Sequence, residues 1–402
     1  MKIGFLGNTN NYPLALAVAL RALGHEIVFV VDRAQPLHRP ESVDPALRGA
    51  YGSWLYDVAP LRVRDAIMPT AAHRRVISLL RDVDALVLNG AGPSYWPALR
   101  KPAIVILSGS DLDLYGDARA LRSVVRNSAR VTVAALRGAL QYPFVARFGR
   151  LQRSGIAAAL TVDYPFPGLL PHGDDLLQQL GVTPSRRRFY MLTDLATLQP
   201  QPQPNNPRTR IFSATRVNWV QPMPAGSSVL DAKGTDVMLR GIARWLERSG
   251  RAIELRLVRK GLHIPQTVAY ARSLGLEPYI TWLDEMPLRS MHEEFVAADI
   301  VLDHFGAGSI GVAARDAMAL ARPVIANVKP EIFRTHVGEE IPVLQAASDE
   351  EIATQLELLG SDAALRARVG QAARGFAERH FSPDIAARDV VATFAGAARR
   401  AG

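Results

Sequence analysis

Short unbroken apolar runs recur along this chain, each ending in a polar or glycine-rich turn and followed by an apolar stretch of helical period. Such runs fit strands covered on both faces, as in parallel sheets. Lys2–Gly7 is the first, followed by the polar turn Asn8–Asn11 and a helix that Pro13 opens and that reaches about Leu23. Gly24 and His25 turn the chain into a second strand, Glu26–Val31, giving a strand–helix–strand start of doubly wound type. Residues 34–75 carry prolines and aromatics without a clear period and predict irregular structure at a domain edge. Asp84–Asn89 and Ala103–Leu107 predict the next parallel strands, and Val131–Ala134 and Ala157–Val162 two more.

The stretch 199–207, QPQPQPNNP, is a poor helix former and predicts an extended linker. Beyond it the pattern restarts, with strands at Arg210–Ser213, Ile253–Val258, Tyr279–Leu283, Ile300–Leu302 and Pro323–Ala326. Helices are predicted over Asp236–Arg248, Gln266–Leu274 and Leu288–Ala298, and most of the chain after Asp349 is helical in pattern. The expected fold is α/β: two Rossmann-like doubly wound domains facing a cleft. Residues 1–198 form the first, 199–207 the linker and 208–380 the second, while a helix within 381–402 packs back toward the first domain.

Composition is that of an ordinary globular chain, 402 residues with 48% hydrophobic and 21% charged. No apolar run reaches the roughly 18 residues that span a bilayer, and MKIGFLGNTN lacks a signal peptide's apolar core, so a cytoplasmic location is expected. The absence of cysteine excludes disulfides, thiolate zinc sites and thiol nucleophiles. The formal charge of +9 matters because it is uneven. Arg119, Arg122, Arg126, Arg130, Arg137, Arg147, Arg150 and Arg153 fall in a segment without carboxylates, interleaved with Tyr142, Phe144 and Phe148. The first four share a helix face. A basic face beside aromatics suits the inner face of an anionic membrane or a phosphorylated acceptor; a solvated helix face fits the pattern equally. No nucleic-acid reading module is visible, so no nucleic-acid partner is expected.

Candidate chemistry concentrates in DHFGAGSIGVAARDAMALARPVIANV, from Asp303 to Val328. It predicts a strand end, a glycine turn (Gly306, Gly308, Gly311), an alanine-rich helix and another strand. With Ser309 as N-cap, the unpaired N–H groups at the helix start would suit a phosphate, and Asp316 would lie within reach of a ribose. Close helix–sheet packing explains the same glycines, and spacing alone leaves both readings open. Arg216 in SATRVNW and Lys233 in DAKGTD add two cations near the same end of the predicted sheet. Cations and backbone donors stabilise charge that grows on a departing diphosphate, and a carboxylate accepts from two vicinal ribose hydroxyls. Asp111 in SGSD follows a strand, where it can contact an acceptor hydroxyl or cap the next helix. Asp111-Leu-Asp113 also spells D-x-D, as does Asp82-Val-Asp84, yet neither sits in a metal-binding context, so no metal is expected.

Arg216, Lys233-Gly234 and DAMALARPVIA from Asp316 to Ala326 resemble the GT-B-fold glycosyltransferases of retaining family four. LGHEI near the N-terminus and ERHFSPDIAARD near the end fit the same family. The resemblance implies transfer of a sugar from a nucleoside diphosphate to an acceptor hydroxyl with retention and without a cofactor. The leaving phosphate would help deprotonate the incoming hydroxyl. It implies Arg216 and Lys233 on the leaving diphosphate, with Gly308, Ser309, Ile310 and Gly311 supplying backbone N–H groups. Asp316 would hold the ribose, Trp282 and Leu283 would flank the base, and Asp303 or His304 would meet the sugar. Asn8, Asn10 and Asp111 would face a glycan, lipid-linked or small-molecule acceptor.

The departures bear on activity. The family's first motif glutamate is Gly308 here, its second is Asp316, its glycine before Arg-Pro-Val is Ala321, and Ser108 stands near the place of a histidine. They motivate a second expectation, an inactive relative that binds nucleotide sugar or partners an active paralogue. A sugar-nucleotide epimerase lacks its acidic and histidine pattern, and a nicotinamide dehydrogenase lacks G-x-G-x-x-G.

Overall fold

A computed structural model describes residues 1–33, 39–59, 61–117, 119–122, 134–185, 191–224, 227, 229–306 and 308–401, with 134–141, 229 and 401 as backbone only. Two all-parallel six-stranded sheets organise it. The first contains β1 (Lys2–Leu6), β2 (Glu26–Asp32), β3 (Leu55–Val58), β4 (Ala85–Asn89), β5 (Ala103–Ile106) and β6 (Thr161–Asp163), in the order β3-β2-β1-β4-β5-β6. The second contains β7 (Thr209–Ser213), β8 (Ile253–Val258), β9 (Ile280–Leu283), β10 (Ile300–Leu302), β11 (Val324–Ala326) and β12 (Leu344–Gln345), in the order β12-β11-β10-β7-β8-β9. The central strands are buried along most of their length, as their unbroken apolar sequences require. In each sheet the strand order reverses once, between β1 and β4 and between β7 and β10. Ligand crevices in open α/β sheets form outside the carboxyl ends of the strands at such points.

The chain divides into two compact units. Unit 1 comprises Met1–Leu192, Pro224–Ser228 and Pro383–Gly402, and unit 2 comprises Thr193–Met223 and Val229–Ser382. The helix Pro383–Ala401 therefore belongs to unit 1, where it packs on the helix Tyr12–Ala22. The first division falls at Leu192–Thr193, not at the proline-rich stretch. Extended, proline-rich backbone leaves carbonyls without intrasegment donors, and two buried arginines supply them. Arg374 donates to the carbonyls of Leu198 and Ala319, and Arg322 donates to those of Gln201 (3.0 Å) and Pro202 (2.8 Å). The expected linker is thus fastened to unit 2.

Other expectations shift for local reasons. Leu55–Val58 is a strand inside the stretch expected to be irregular, because its apolar ends pack on β2. Ala134 starts a helix running to Ala157, so neither position belongs to a strand; the last strand of unit 1 begins at Thr161. Residues 131–133, Arg126 and Arg130 lie outside the described residues. No described helix is long and apolar enough to cross a membrane.

Candidate functional site

Four connections meet at the carboxyl end of the second sheet: those after β7, β8, β10 and β11. Backbone bonds tie the first three together. The Lys233 N–H donates to the Asn218 carbonyl (2.7 Å), and the Phe305 N–H donates to the Lys233 carbonyl (2.8 Å). Gly234 has a left-handed φ of 64°, and a Cβ on Gly306 would lie 1.9 Å from the Ala232 carbonyl oxygen, so both glycines are required for this approach. On the other side the Val217 N–H donates to the Lys260 carbonyl (2.7 Å), and Leu262 N–H to Asn218 Oδ1 (2.7 Å). Buried Asn218 thus ties the two ends of its own loop together and joins them to the loop after β8, a role its place in SATRVNW gave no sign of. Trp219 extends the seam, its Nε1 donating to Thr267 (2.9 Å) and its ring packing on Tyr270.

These bonds bring Arg216, Lys233, Asp303 and His304 into one electrostatic neighbourhood. Burial holds the Lys233 ammonium below the ordinary lysine value; Asp303 and Asp231 oppose that shift, and Arg216 adds to it. Lys260, which no sequence motif marks, is also held low, first by burial and then by Arg216, with Glu285 opposing. Among the described residues none of these three cations sits in a direct ion pair. Arg216 is exposed, while Lys233 and Lys260 are half-buried. His304 is 2% exposed, its Nδ1 has no hydrogen-bond partner, and burial pushes it down to about 4, so it is neutral at physiological pH.

The glycine loop differs from expectation at its helix start. The N-cap is Gly311, not Ser309, which is buried with Ile310. The Gly311 N–H is already bonded to Asp303 Oδ2, and Asp303 Oδ1 accepts from Thr215 Oγ1 (3.2 Å). A carboxylate of the chain itself therefore occupies part of the expected anion seat. At Gly308 a Cβ would lie 2.8 Å from Lys329 Cε, so a lysine stem fills the space a side chain would need.

Asp316 is also reassigned. It is 1% exposed, Arg315 Nη2 lies 2.7 Å from Oδ1, Thr193 Oγ1 donates to Oδ1 (3.1 Å), and His292 Nε2 lies 3.4 Å from Oδ2. Despite burial, Arg315 and His292 hold its carboxyl below the ordinary aspartate value. It anchors the incoming segment at Thr193, and both its oxygens face groups of the chain itself. Trp282 is half-buried beneath Arg259, 5.7 Å from the ring centroid, and Leu283 accepts the Arg259 N–H through its carbonyl.

At the carboxyl end of the first sheet Asn89 is the hub. Its Oδ1 accepts the Thr9 N–H (2.6 Å), and its Nδ2 donates to the Ile106 carbonyl (2.8 Å) and faces Asp111 Oδ2 (3.3 Å). Asn8 is buried and accepts the Leu14 N–H, whereas Asn10 is exposed with a left-handed φ of 53°. Asp111 accepts the N–H groups of Ser108 (2.8 Å) and Gly109 (2.9 Å); burial nevertheless pushes it up to about 6. Asn8 and Asp111 hold loops in place, and of the three expected acceptor contacts only Asn10 is on the surface.

Two parallel doubly wound sheets flanked by helices define the chain's fold as that of the GT-B glycosyltransferases. No protein-family profile matches the sequence, and no curated protein matches it. Among solved structures, HepE from Anabaena, crystallised with UDP and glucose, superposes with a TM-score of 0.61 at 13% identity, covering 98% of this chain and 100% of its own. Sucrose-phosphate synthase from Thermosynechococcus elongatus gives a TM-score of 0.61 at 13% identity, with 100% of both chains covered. A Listeria monocytogenes protein assigned as a UDP-N-acetylglucosamine 2-epimerase gives 0.53 at 13% identity, covering 98% of this chain and 94% of its own.

Proposed function

We propose that the chain transfers a sugar from a nucleoside diphosphate to an acceptor hydroxyl. The observation that carries this reading is the set of cations without direct ion pairs, Arg216 and Lys233 foremost, at the reversal point of the second sheet. That is where a diphosphate leaving group needs fixed positive charge, and fixed cations supply it without a metal. Solved neighbours of the same fold that hold UDP and UDP-glucose support the choice of donor class. On this reading His304, neutral and with an unbonded Nδ1, would bond the donor sugar or its phosphate, and Trp282 would flank the base. Retention follows if the departing phosphate takes the acceptor proton on the face it leaves. Asn10 in unit 1 is the acceptor contact this reading keeps. Calorimetric titration with UDP-, GDP- and dTDP-sugars tests the proposal: one of them binds and is turned over with an acceptor, whereas binding none refutes it.

A second reading is favoured by the Lys329 stem over Gly308 and by the occupied carboxylate of Asp316: a chain that binds nucleotide sugar without turnover. Binding with neither transfer nor hydrolysis would decide for it. The acceptor side carries a separate feature. Tyr142 and Phe144 are 38% and 50% exposed beside Pro143, Arg122 lies over the Tyr142 ring, and Arg147 and Arg150 are exposed further along the same helix. Exposed aromatics with basic neighbours suit an anionic membrane surface and thus a lipid-linked acceptor. Flotation with anionic liposomes recovers the protein on this reading, and equal recovery with neutral liposomes removes it.

A further inference from the structure

Lys260 has no place in the motifs that suggested the donor site, yet the fold sets it beside Arg216. Its carbonyl takes the Val217 N–H, the residue next to Arg216, and Gly261 approaches the same N–H so closely that a Cβ would stand 2.7 Å away. The loop is fixed further by Leu262 on Asn218, so the Lys260 side chain leaves a rigid base. Arg216 acts on both Lys233 and Lys260, and among the described residues none of the three is in a direct ion pair. Arg216 opposes the charge on each lysine, while Asp303 and Asp231 support it at Lys233 and Glu285 supports it at Lys260; cations crowded by a like charge and without a direct ion pair favour a bound anion.

We propose that Lys260 completes, with Arg216 and Lys233, a three-cation seat for the departing nucleoside diphosphate, so that the site grips the product nucleotide more tightly than the donor. This rests on the nucleotide-sugar reading above and deepens it. The diphosphate of a nucleotide sugar is esterified at both ends and carries two negative charges. When the anomeric C–O bond breaks, its electron pair stays on the outer phosphate oxygen. The acceptor oxygen bonds the anomeric carbon, and its proton passes to that phosphate and then to solvent. The free nucleoside diphosphate thereby gains a third charge above the second phosphate pKa of about 6. The helix start cannot answer that charge fully, because Asp303 holds the Gly311 N–H and is itself negative. Side-chain cations must answer it, and two already face the two charges of the donor.

The test compares product with donor in the full chain at pH 8 by calorimetry, using UDP with UDP-glucose and GDP with GDP-mannose. The wild type binds the diphosphate more tightly than its sugar. Lys260→Gln weakens diphosphate binding by about tenfold or more and sugar-nucleotide binding by less than about threefold, as loss of one charged contact to the third charge requires. Lys260→Arg restores the ratio, and Arg289→Gln, which removes an exposed charge elsewhere in unit 2, leaves it unchanged. An unaltered ratio in Lys260→Gln, or equal loss for both ligands, overturns the role of Lys260 alone. If the wild type binds neither pair, the nucleotide reading itself falls.

Discussion

The two sheets share one plan and differ in what their loops carry. Both are six-stranded, parallel, and reversed at the neighbour of their first strand. At the carboxyl end of the unit 1 sheet stand Asn8, Asn89 and Asp111, which are buried and spend their hydrogen bonds on nearby backbone. At the carboxyl end of the unit 2 sheet stand Arg216, Lys233 and Lys260, which have no direct ionic partner among the described residues. Polar groups that satisfy one another fix a loop; charges that do not are available to a ligand. Scaffold position alone therefore does not distinguish the two ends, and the pairing state of their polar groups does.

The largest expected effect breaks the comparison on the unit 2 side. Lys233→Ala or Arg216→Ala lowers turnover by about 10²- to 10³-fold, as removal of one donor to a developing charge does elsewhere. Circular dichroism and thermal melting stay near wild type, since Arg216 is exposed and Lys233 is joined to the fold through its backbone. Unchanged kinetics in both variants would make the two sheet ends equivalent.

The next effect is on stability. Asp316→Ala leaves the guanidinium of Arg315 buried beside a lost carboxylate and releases Thr193, at a cost of about 3 kcal/mol in denaturant unfolding. A ribose contact would instead raise the donor KM with stability unchanged, so the two measurements separate anchor from ligand group.

The smallest effect is in pH dependence, where two buried aspartates differ in sign. The Asp316 carboxyl lies below its unfolded value of 3.8, so its stabilising contribution is present above pH 3.8 and is lost as pH falls through the folded value. Asp111 is raised from 3.8 to about 6, so the folded state binds its proton more tightly and this group's contribution declines as pH rises through that window. Melting temperatures from pH 3 to 7 should show Asp316→Asn flattening the acid limb and Asp111→Asn flattening the decline toward pH 6. Identical profiles for both variants and wild type would mean that neither carboxyl is shifted. The contrast has a plain cause: Arg315 and His292 face Asp316, whereas burial dominates at Asp111.

Much of this was legible in the residues. Five of the six strands of unit 2 fall within a residue of their expected places, because buried parallel strands leave unbroken apolar runs, whereas the two-residue edge strand Leu344–Gln345 is too short to leave one. The strand Leu55–Val58 was hidden because its middle residues, Tyr56 and Asp57, are polar at the sheet edge. Arg216 and Lys233 could be singled out because each stands next to a strand end or a glycine at a helix start. Asn218, Asn89 and Lys260 could not, since nothing local marks an asparagine or lysine as the meeting point of loops far apart in sequence.

What the sequence settled alone is the alternation of buried strands and helices, which follows from local apolar period and needs no partner. The pairing of charges was decided only by the fold. Asp303 reaches the helix start, Lys329 covers Gly308 and Asp316 closes on Arg315, His292 and Thr193. Hydrogen bonds and ion pairs are short-ranged and depend on which loops the sheet order brings together, so residue type and spacing cannot tell an occupied carboxylate from an open one.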